Sequence, residues 1–567
     1  MTFTSKLIAG VLACCLSGIA ASPKLAPDAV SGSPGNIVHV IVQYETSPTA
    51  LHAQRVIRLG GVEKASLEGI RGKLIAIRSG ALEELAAQPG VLHVSPDRAV
   101  HATLDNAAPS AGARMAFEAG WSGAGVGVAV IDSGIQPARD LNGASGLSRI
   151  VHRESFVPSR EAGQESLSKD PYGHGTHVAG IIGGNGAASM GSHALRTFRG
   201  MAPGASLIDL QVLDETGAGT DSQVILAIDA AIRLRSKFNI RVINLSVGRP
   251  VMESYTTDPL CQAVERAWRA GIVVVVAAGN GGREPLTSGY GTITSPGNDP
   301  LAITVGAMNS MDTPSRLDDV IASYSSKGPT LLDHVVKPDL LAPGNRVISL
   351  QSEHSLLQSA AANKVFRSFY ERTASVAESA DYMKLSGTSM AAPMVSGAVA
   401  LLLSKDETLT PETVKARLMK TATKAFPLFS SVTDPVTQIT YTSQYDLFTV
   451  GAGYLDIWGA LHSTDTVPDG RTTASPVAIY DAASNSATVV GPDAAVWGSA
   501  AVWGTAAVWG TNVFIGGEAA VWGSAAVWGT AAVWGTGGTR GNAAVWGSAA
   551  VWGTAVGGSS MPAAGEE

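Results

Sequence analysis

A regular alternation of buried strands and helices occupies the middle of this chain. Four apolar runs have the pattern of strands covered on both faces: 125–131, 206–213, 241–248 and 272–278. Amphipathic helical patterns follow the second and third of these runs, at 221–238 and 258–270. Strands that alternate with helices form a parallel sheet, because each helix returns the chain to the same end of the sheet. The sequence therefore predicts an α/β fold with helices on both faces of a parallel sheet.

Two polar residues follow directly on these strands. Asp132 comes after the first run, and Asn280 comes just after the fourth, between Gly279 and Gly281. Open α/β sheets build their sites at the carboxyl ends of the strands, and an asparagine amide there can stabilise an oxyanion. Taken alone, each residue fits a simple turn equally well or better.

A pair of histidines marks the start of another helix. His174 and His177 lie in the segment 172–180, which runs into an apolar stretch. Residues three apart share a helix face, so this pair allows a zinc site, although no third ligand at a fitting spacing accompanies it. In the alternative interpretation, His174 is a general base and His177 is a packed neighbour.

A serine opens the longest apolar helical stretch. The small-residue turn 386–388 leads into Ser389 and then into the apolar run 391–403. The outward N–H groups of a helix N-terminus favour negative charge, so Ser389 is a candidate nucleophile if a base lies beside it, and otherwise an ordinary capping serine. The apolar run is too short to span a bilayer, and it predicts a buried core helix.

Together these segments resemble the subtilisin-like serine proteases. The matching motifs are 130–134, 174–180, 277–280 and 386–393. Their order of Asp, His and Ser along the chain is that of subtilisin. The resemblance covers roughly 106–462 and implies a subtilisin-like fold that hydrolyses polypeptide substrates through an acyl-enzyme.

The resemblance also implies individual roles. Its catalytic triad would be Asp132, His174 and Ser389, with Asn280 in the oxyanion hole. Five further residues would bind substrate: Ser246, Val247 and Gly248 by pairing with its backbone, and Ala278 and Gly279 by lining the pocket for the residue before the scissile bond. The chemistry needs no cofactor. A structural calcium is left open, with Asp140 as one candidate ligand and no metal ligands assigned.

Two inserted segments depart from a minimal member of that family. The loop 185–199 is long, and the extra segment 353–384 has helical composition and borders the predicted active site. We therefore expect helix in 353–384.

The N-terminal hundred residues predict two further parts. Residues 1–22 have the positive start, short apolar core and small-residue end of an export signal, which predicts a secreted or extracytoplasmic protein. A lipoprotein site ending at Cys14 is a weaker match. Residues 37–100 have the βαββαβ order of a ferredoxin-like α+β unit. The resemblance implies that this unit is an inhibitory prodomain, although the pattern alone also fits a small binding domain.

The C-terminal hundred residues change in composition. Residues 463–493 predict a linker, the hexad Ala-Ala-Val-Trp-Gly-Ser/Thr recurs over 494–554, and 555–567 form a tail. The hexads fit either a stacked β-array or a low-complexity tail, and their Trp-rich, β-prone sequence predicts adhesion to surfaces or self-association. Truncation after about Thr466 is therefore predicted to leave peptide hydrolysis unchanged.

The net charge limits the kinds of partner that this protein is expected to bind. A net charge of −7 and an isoelectric point near 5.9 argue against nucleic acid as a partner. We expect an exported serine endopeptidase, made as a zymogen that is inhibited by its own prodomain and cuts itself between about Val100 and Ser110. The alternative is a surface-binding or structural protein that uses the repeat and keeps the protease fold as a scaffold.

Overall fold

The computed structural model describes residues 22–29, 34–102, 113–158, 169–313, 315–373, 375–434, 437–481, 486–490 and 512–514. Nearly all of the predicted export signal, the hexads and the tail 555–567 lie outside the described residues. The same is true of most of the stretch in which self-cleavage was predicted.

The N-terminal unit has the predicted order of elements. Its strands and helices are β1 Ile37–Tyr44, α1 Ala50–Arg58, β2 Val62–Leu67, β3 Gly72–Arg78, α2 Leu82–Ala86 and β4 Val91–Pro96. They form an antiparallel sheet in the order β2-β3-β1-β4. Leu25 and Ala26 are buried in the same small core, so the unit begins well before residue 37.

The elements of the large unit follow along the chain. Up to the end of its sheet they are β5 Ala99–Ala102, α3 Ala113–Glu118, β6 Gly127–Asp132, β7 Ile150–Ser155, α4 His174–Gly183, β8 Ser206–Gln211, β9 Ala218–Thr220, α5 Asp221–Phe238, β10 Ile240–Leu245, β11 Val247–Gly248, α6 Pro259–Arg269, β12 Val273–Ala277, β13 Ile303–Asn309, β14 Val320–Ile321 and β15 Leu340–Pro343. The remainder are β16 Val347–Leu350, β17 Lys364–Phe366, β18 Glu378–Leu385, α7 Thr388–Lys405, α8 Pro411–Thr421, β19 Phe429–Thr433, β20 Thr440–Gln444, α9 Leu447–Val450, α10 Ile457–His462, β21 Val477–Asp481, β22 Ser486–Val490 and β23 Asn512–Phe514.

The main sheet is mixed and largely parallel. Its strand order is β14-β13-β12-β10-β6-β8-β7, and β15 also pairs with β13. All of these pairs are parallel except β13–β14, where the chain returns without a crossover helix. Helices α5 and α6 pack together on the sheet, and α4 and α7 form a second pair on it. The predicted α/β class is confirmed, with one short antiparallel strand that the all-parallel expectation missed.

Helix α7 is the core helix of the large unit. Among the described residues it is the one helix long and apolar enough to cross a membrane by length and hydropathy, but 89% of that window is buried inside the structure. It packs against β10, β12 and β13, which confirms the prediction of a buried helix.

Two predictions about the large unit are wrong. The segment 353–384, expected to be helical, contains β17, most of β18 and short 3-10 turns. Pairing of β18 with β16 overrides the local helical preference and carries the chain to the start of α7. The first part of the predicted linker is also packed rather than extended, because Thr473 and Ser475 are buried and Ala478 donates to the carbonyl of His334.

Candidate active site

The carboxyl edge of the main sheet gathers the predicted catalytic residues. Strand β6 ends at Asp132, β10 ends just before Ser246, and β12 ends three residues before Asn280. Helices α4 and α7 begin at this edge, with His174 and Ser389 in their first turns. Side chains from separate motifs therefore meet where parallel strands and helix N-termini converge.

Asp132 and His174 form a buried hydrogen-bonded pair. The Nδ1 atom of His174 lies 2.8 Å from Oδ1 of Asp132, and neither side chain is exposed. The backbone N–H of Ser133 donates to the same oxygen over 2.7 Å. Because a carboxylate accepts, Nδ1 of His174 carries the hydrogen in this pair, and Nε2 is then the basic nitrogen of the neutral ring.

Ser389 is fixed to strand β10 by reciprocal hydrogen bonds. Its hydroxyl donates to the carbonyl of Ser246 over 3.1 Å, and the Ser246 hydroxyl donates to the Ser389 carbonyl over 2.8 Å. Asn244 donates its amide to the Ser246 hydroxyl and accepts from Ser396, two helical turns further along α7. Gly387 supplies the turn before the helix, with a φ of 147°. These contacts hold the start of α7 at the end of β10.

The orientation of the Asn280 amide follows from its partners. The N–H of Thr388 donates to Oδ1 of Asn280 over 3.0 Å, and the Thr388 hydroxyl lies 3.1 Å from the same atom. A backbone N–H can only donate, so the atom facing it is the amide oxygen. The Nδ2 group of Asn280, on the other side of the amide, is directed away from these donors.

Asp170 is a functional residue that sequence reasoning missed. Its carboxylate accepts from the N–H groups of Gly173 and Thr176 at the start of α4, over 2.7 and 2.8 Å. It also accepts from the hydroxyl of Ser133, which adjoins Asp132. Burial raises the pKa of Asp170 despite these hydrogen bonds. One carboxylate thus positions both partners of the Asp132–His174 pair. An acidic residue just before a helix start was its signal in the sequence.

A second missed carboxylate supports the loop after Asp132. Asp209 accepts from the N–H of Ile135 over 3.1 Å and from Arg153 over 2.6 Å, and Arg153 also donates to the Ile135 carbonyl over 2.6 Å. The backbone of Ile135 is therefore held on both sides. Burial raises the pKa of Asp209 to about 7, against the opposing charge of Arg153.

His177 takes the packed role rather than the metal role. It is fully buried, and its Nε2 atom lies 3.0 Å from the carbonyl of Val347, to which it donates. Burial, with the charge of His174, lowers the pKa of His177 to about 3. Within the described residues, no group of three His, Cys, Asp or Glu side chains is placed to hold a metal ion.

Asp140, the candidate calcium ligand, faces hydrogen-bond donors. One carboxylate oxygen accepts from the Tyr382 hydroxyl over 2.7 Å, and the other accepts from the N–H of Ala188 over 2.6 Å. Calcium is bound by sets of six to eight oxygen atoms. Both oxygens of Asp140 thus face donors in this structure, and its role as a calcium ligand stays a prediction.

The substrate-binding edge carries an added strand from the same chain. A three-stranded sheet in the order β11-β5-β9 places residues 99–102 between the two walls of the cleft. Val247 lies opposite Ala102 and Gly248 opposite His101, both antiparallel. Val247 and Gly248 thus pair with an extended segment of this chain, and the Ser246 carbonyl accepts from Ser389. Their pairing with a substrate stays a prediction.

Thr294 lies beside this edge, next to residues predicted to line the substrate pocket, and sequence reasoning also missed it. A Cβ atom built on Gly248 would lie 2.6 Å from the Thr294 hydroxyl, and one on Gly279 would lie 2.8 Å from its methyl group. The Ala278 carbonyl accepts from the N–H of Thr294. Ala278 and Gly279 therefore lie beside Thr294, across from Gly248. No sequence motif marks Thr294, because only the fold brings it between the two glycines.

Comparisons with known proteins agree with this geometry. A model of the subtilase family, Peptidase_S8, matches residues 123–452. Serine protease AprX of Bacillus subtilis (strain 168) is 39% identical over 334 residues, which cover 58% of this chain and 68% of that protein. Subtilisin E of the same strain is 34% identical over 368 residues, which cover 64% and 78%. The crystal structure of fervidolysin from Fervidobacterium pennivorans, described as a keratinolytic enzyme related to subtilisin, gives a TM-score of 0.53 at 20% identity and covers 81% of this chain and 65% of that one.

Proposed function

Since this chain belongs to the subtilase family and is a serine endopeptidase, we propose that it is exported as an inhibited precursor and matures by cutting itself. The observation that carries the proposal is strand β5, which lies in the substrate cleft with the antiparallel pairing of a peptide substrate. The hypothesis that the protease fold is only a scaffold is set aside, because the chain is an enzyme.

Peptide hydrolysis follows from the four residues at the sheet edge. Ser389 attacks the substrate carbonyl, while Nε2 of His174 takes its proton and then returns it to the leaving amine. Asp132, at 2.8 Å from Nδ1, keeps the imidazole in this tautomer and stabilises its protonated form. The oxyanion accepts from Nδ2 of Asn280 and from the N–H of Ser389. In subtilisin, loss of the asparagine donor lowers kcat about 10²–10³-fold, a value that belongs to that enzyme.

The position of β5 sets the expected cleavage point. Ala102 is the last residue of this strand and lies opposite Val247, one residue from Ser246, whose carbonyl accepts from the nucleophile. The first residue after β5 is Thr103. We therefore expect the cut within one or two residues of Thr103, inside the range predicted from sequence. The new carboxyl end would remain in the cleft as a product and inhibit the enzyme.

Buried charges hold the N-terminal unit, in the proposed prodomain role, on the enzyme. Both carboxylate oxygens of Glu253 bind N-terminal side chains, one His93 and the other Arg98, each at 2.6 Å. Burial opposes the charge on Glu253, but the His93 hydrogen bond and Arg98 lower its pKa to about 2. Asp97 also accepts from the N–H and hydroxyl of Ser222 at 2.8 Å. The N-terminal residues in these contacts lie within six residues of β5 and help to hold it in place.

Replacement of the nucleophile tests the proposal. We expect Ser389→Ala to accumulate as a precursor with residues before Thr103 still attached, to lack peptide hydrolysis, and to give no adduct with a serine-directed phosphonate. Ser386→Ala is the matched control, because Ser386 lies in the same turn and bonds Asn345 instead. That variant should mature and react. N-terminal sequencing after expression without other proteases gives the answer, and a mature N-terminus in Ser389→Ala would contradict self-cleavage.

Export and the role of the repeat are part of the same proposal. The N-terminal signal pattern supports secretion, and the Trp-rich hexads support self-association or adhesion after export. Sedimentation of chains with and without 494–554 tests self-association, and identical profiles would remove that part.

A further inference from the structure

A buried cage of oxygen atoms surrounds the side chain of Lys415, away from the catalytic residues. The oxygens and their distances to Nζ are Pro300 O 2.8 Å, Leu301 O 3.3 Å, Ala302 O 3.0 Å, Ser475 Oγ 3.0 Å and Asp339 Oδ1 3.2 Å. We call this set the lysine cage. Lys415 and Asp339 are fully buried, so bulk water does not solvate the ammonium.

A second lysine approaches the cage from the side. Nζ of Lys337 donates to the carbonyl of Ala302 over 3.0 Å and lies 2.7 Å from Oδ2 of Asp339. Burial favours the neutral acid, but Lys337 and Lys415 lower the pKa of Asp339 below its ordinary value. One carboxylate thus faces two ammonium groups, and the three backbone carbonyls supply the remaining negative potential.

The composition of the cage is that of a cation site. Three backbone carbonyls, a carboxylate and a hydroxyl are oxygen ligands of the kind that hard cations take. An ammonium has three N–H bonds and meets five oxygens here, so the oxygens are not matched one to one with donors. Burial lowers the pKa of Lys415 to about 7, and the charge of Asp339 opposes that shift. Its contacts of 2.8–3.3 Å fit an ammonium, whereas calcium requires about 2.3–2.6 Å.

We propose that the Lys415 ammonium takes the place of a bound cation in the lysine cage. Removal of this side chain would then turn the cage into a binding site for a small free cation. The tether has a physical consequence. A bound metal leaves by dissociation or chelation, but a covalently attached ammonium stays as long as the chain is folded. The proposal concerns this cage alone and does not depend on the proposed self-processing.

The cage joins parts of the chain that are far apart in sequence. Lys415 lies on α8, Asp339 directly precedes β15, and Ser475 belongs to the C-terminal segment. The carbonyls belong to the loop 300–302, which follows the pocket residue Thr294 by six residues. An empty cage would leave buried carbonyls and a carboxylate without their cation at the point where these parts meet, which costs stability.

Chemical rescue of a truncated lysine tests the proposal. The full chain carrying Ser389→Ala serves as host, because it cannot digest itself during heating. In this host we expect Lys415→Ala to lower the unfolding midpoint by roughly 5–15 °C. Methylammonium chloride should restore part of the loss, while tetramethylammonium chloride at equal concentration, too large for the cage, should not. Calcium chloride forms a further arm and should restore less than methylammonium, because the cage distances exceed those of calcium coordination. A rise with calcium and none with methylammonium would contradict the ammonium fit.

Two matched variants separate charge from volume and from surface effects. Lys415→Met fills the space without charge, so it should be destabilised and insensitive to every added cation. Lys420→Ala removes a lysine on the same helix that pairs with the partly exposed Asp465, so its midpoint should stay near that of the host. Midpoints are compared at one scan rate in each salt.

Three results would overturn the proposal. The first is a Lys415→Met midpoint equal to that of the host, and the second is a Lys415→Ala midpoint that no small cation raises. The third is that methylammonium raises the unfolding midpoints of Lys415→Ala and Lys420→Ala by the same amount. If Lys415→Ala does not accumulate as folded protein, its refolding yield replaces the midpoint. A yield raised by methylammonium and not by tetramethylammonium supports the tethered cation, and equal yields refute it.

Discussion

Truncation inside the C-terminal segment separates its packed part from the repeat. A chain ending after Thr466 loses Ser475 and the strand pairing near Val336. A chain ending after Val490 keeps both and loses only the pairing of β23 with β22 among the described contacts. The sequence predicted that the first truncation would leave peptide hydrolysis unchanged. The structure predicts that this truncation lowers stability, because the segment packs on the large unit.

The cost can be worked out from the hydrogen bonds that are removed. Truncation after Thr466 leaves the N–H of Val336, on a residue 1% exposed, without the Pro476 carbonyl that it binds. An unsatisfied buried N–H costs about 1–3 kcal/mol. Loss of the Ser475 bonds to Pro300 and to the lysine cage, and of the Ala478 bond, adds about 0.5–1.5 kcal/mol each. The total of about 2.5–7.5 kcal/mol is a large part of a typical stability of about 5–15 kcal/mol.

The assay compares the full chain with the two truncated chains. Unfolding midpoints are measured in the Ser389→Ala background, and peptide turnover is measured in the active background. We expect the chain ending after Val490 to match the full chain in unfolding midpoint and in peptide turnover. The chain ending after Thr466 should have a midpoint lower by roughly 5–15 °C and should lose activity sooner on heating. Equal midpoints for the two truncations would refute the structural role of Ser475 and its neighbours.

Three further changes test the site and its support. Thr294→Gly should widen the pocket beside Gly248 and raise kcat/KM for substrates with a large residue before the scissile bond, relative to alanine, by roughly tenfold or more; an unchanged ratio would exclude Thr294 from the pocket. The pKa of Asp209 is raised to about 7 in the folded chain. Its contribution to the free energy of unfolding is therefore present at low pH and is lost as the pH rises from about 4 to 7. Asp209→Asn should make the free energy of unfolding less dependent on pH over that range. Asp209→Asn should also lower kcat more than it changes KM, because Ile135 next to the catalytic loop is loosened. Glu253→Gln should shorten the lag before activity appears after self-cleavage, and an unchanged lag would remove Glu253 as an anchor.

The strands and helix starts that could be predicted from the sequence are those that short local patterns determine. The run that ends at Asp132 is buried at every position, so its apolar sequence alone predicts a strand and the place of its carboxylate. Ser389 and His174 were predicted at helix starts and lie there. In each case neighbouring residues in sequence decide the structure, and the tertiary fold only brings the results together.

The residues that sequence reasoning missed depend on contacts far along the chain. Lys415 follows a Thr-Pro helix start and has the pattern of an ordinary helix residue, yet its ammonium binds carbonyls more than a hundred residues away. Ser475 has the composition of a linker but binds the same ammonium. The expected helix within 353–384 failed for the same reason, because the exposed edge of β16 offered that segment a partner that no local pattern records.

If the chain cuts itself as proposed, the position of β5 would make maturation and inhibition compatible in one molecule. Before the cut, β5 is covalently attached on both sides, and its high effective concentration keeps it in the cleft. After the cut, the N-terminal unit is retained by noncovalent contacts alone, among them the buried Glu253 with His93 and Arg98. Leu67 and Ile70 from the same unit join the apolar core of the enzyme. The proposed cleavage would therefore remove the covalent tether without removing the proposed inhibitor, and we expect dissociation of the N-terminal unit to be the slow step toward activity.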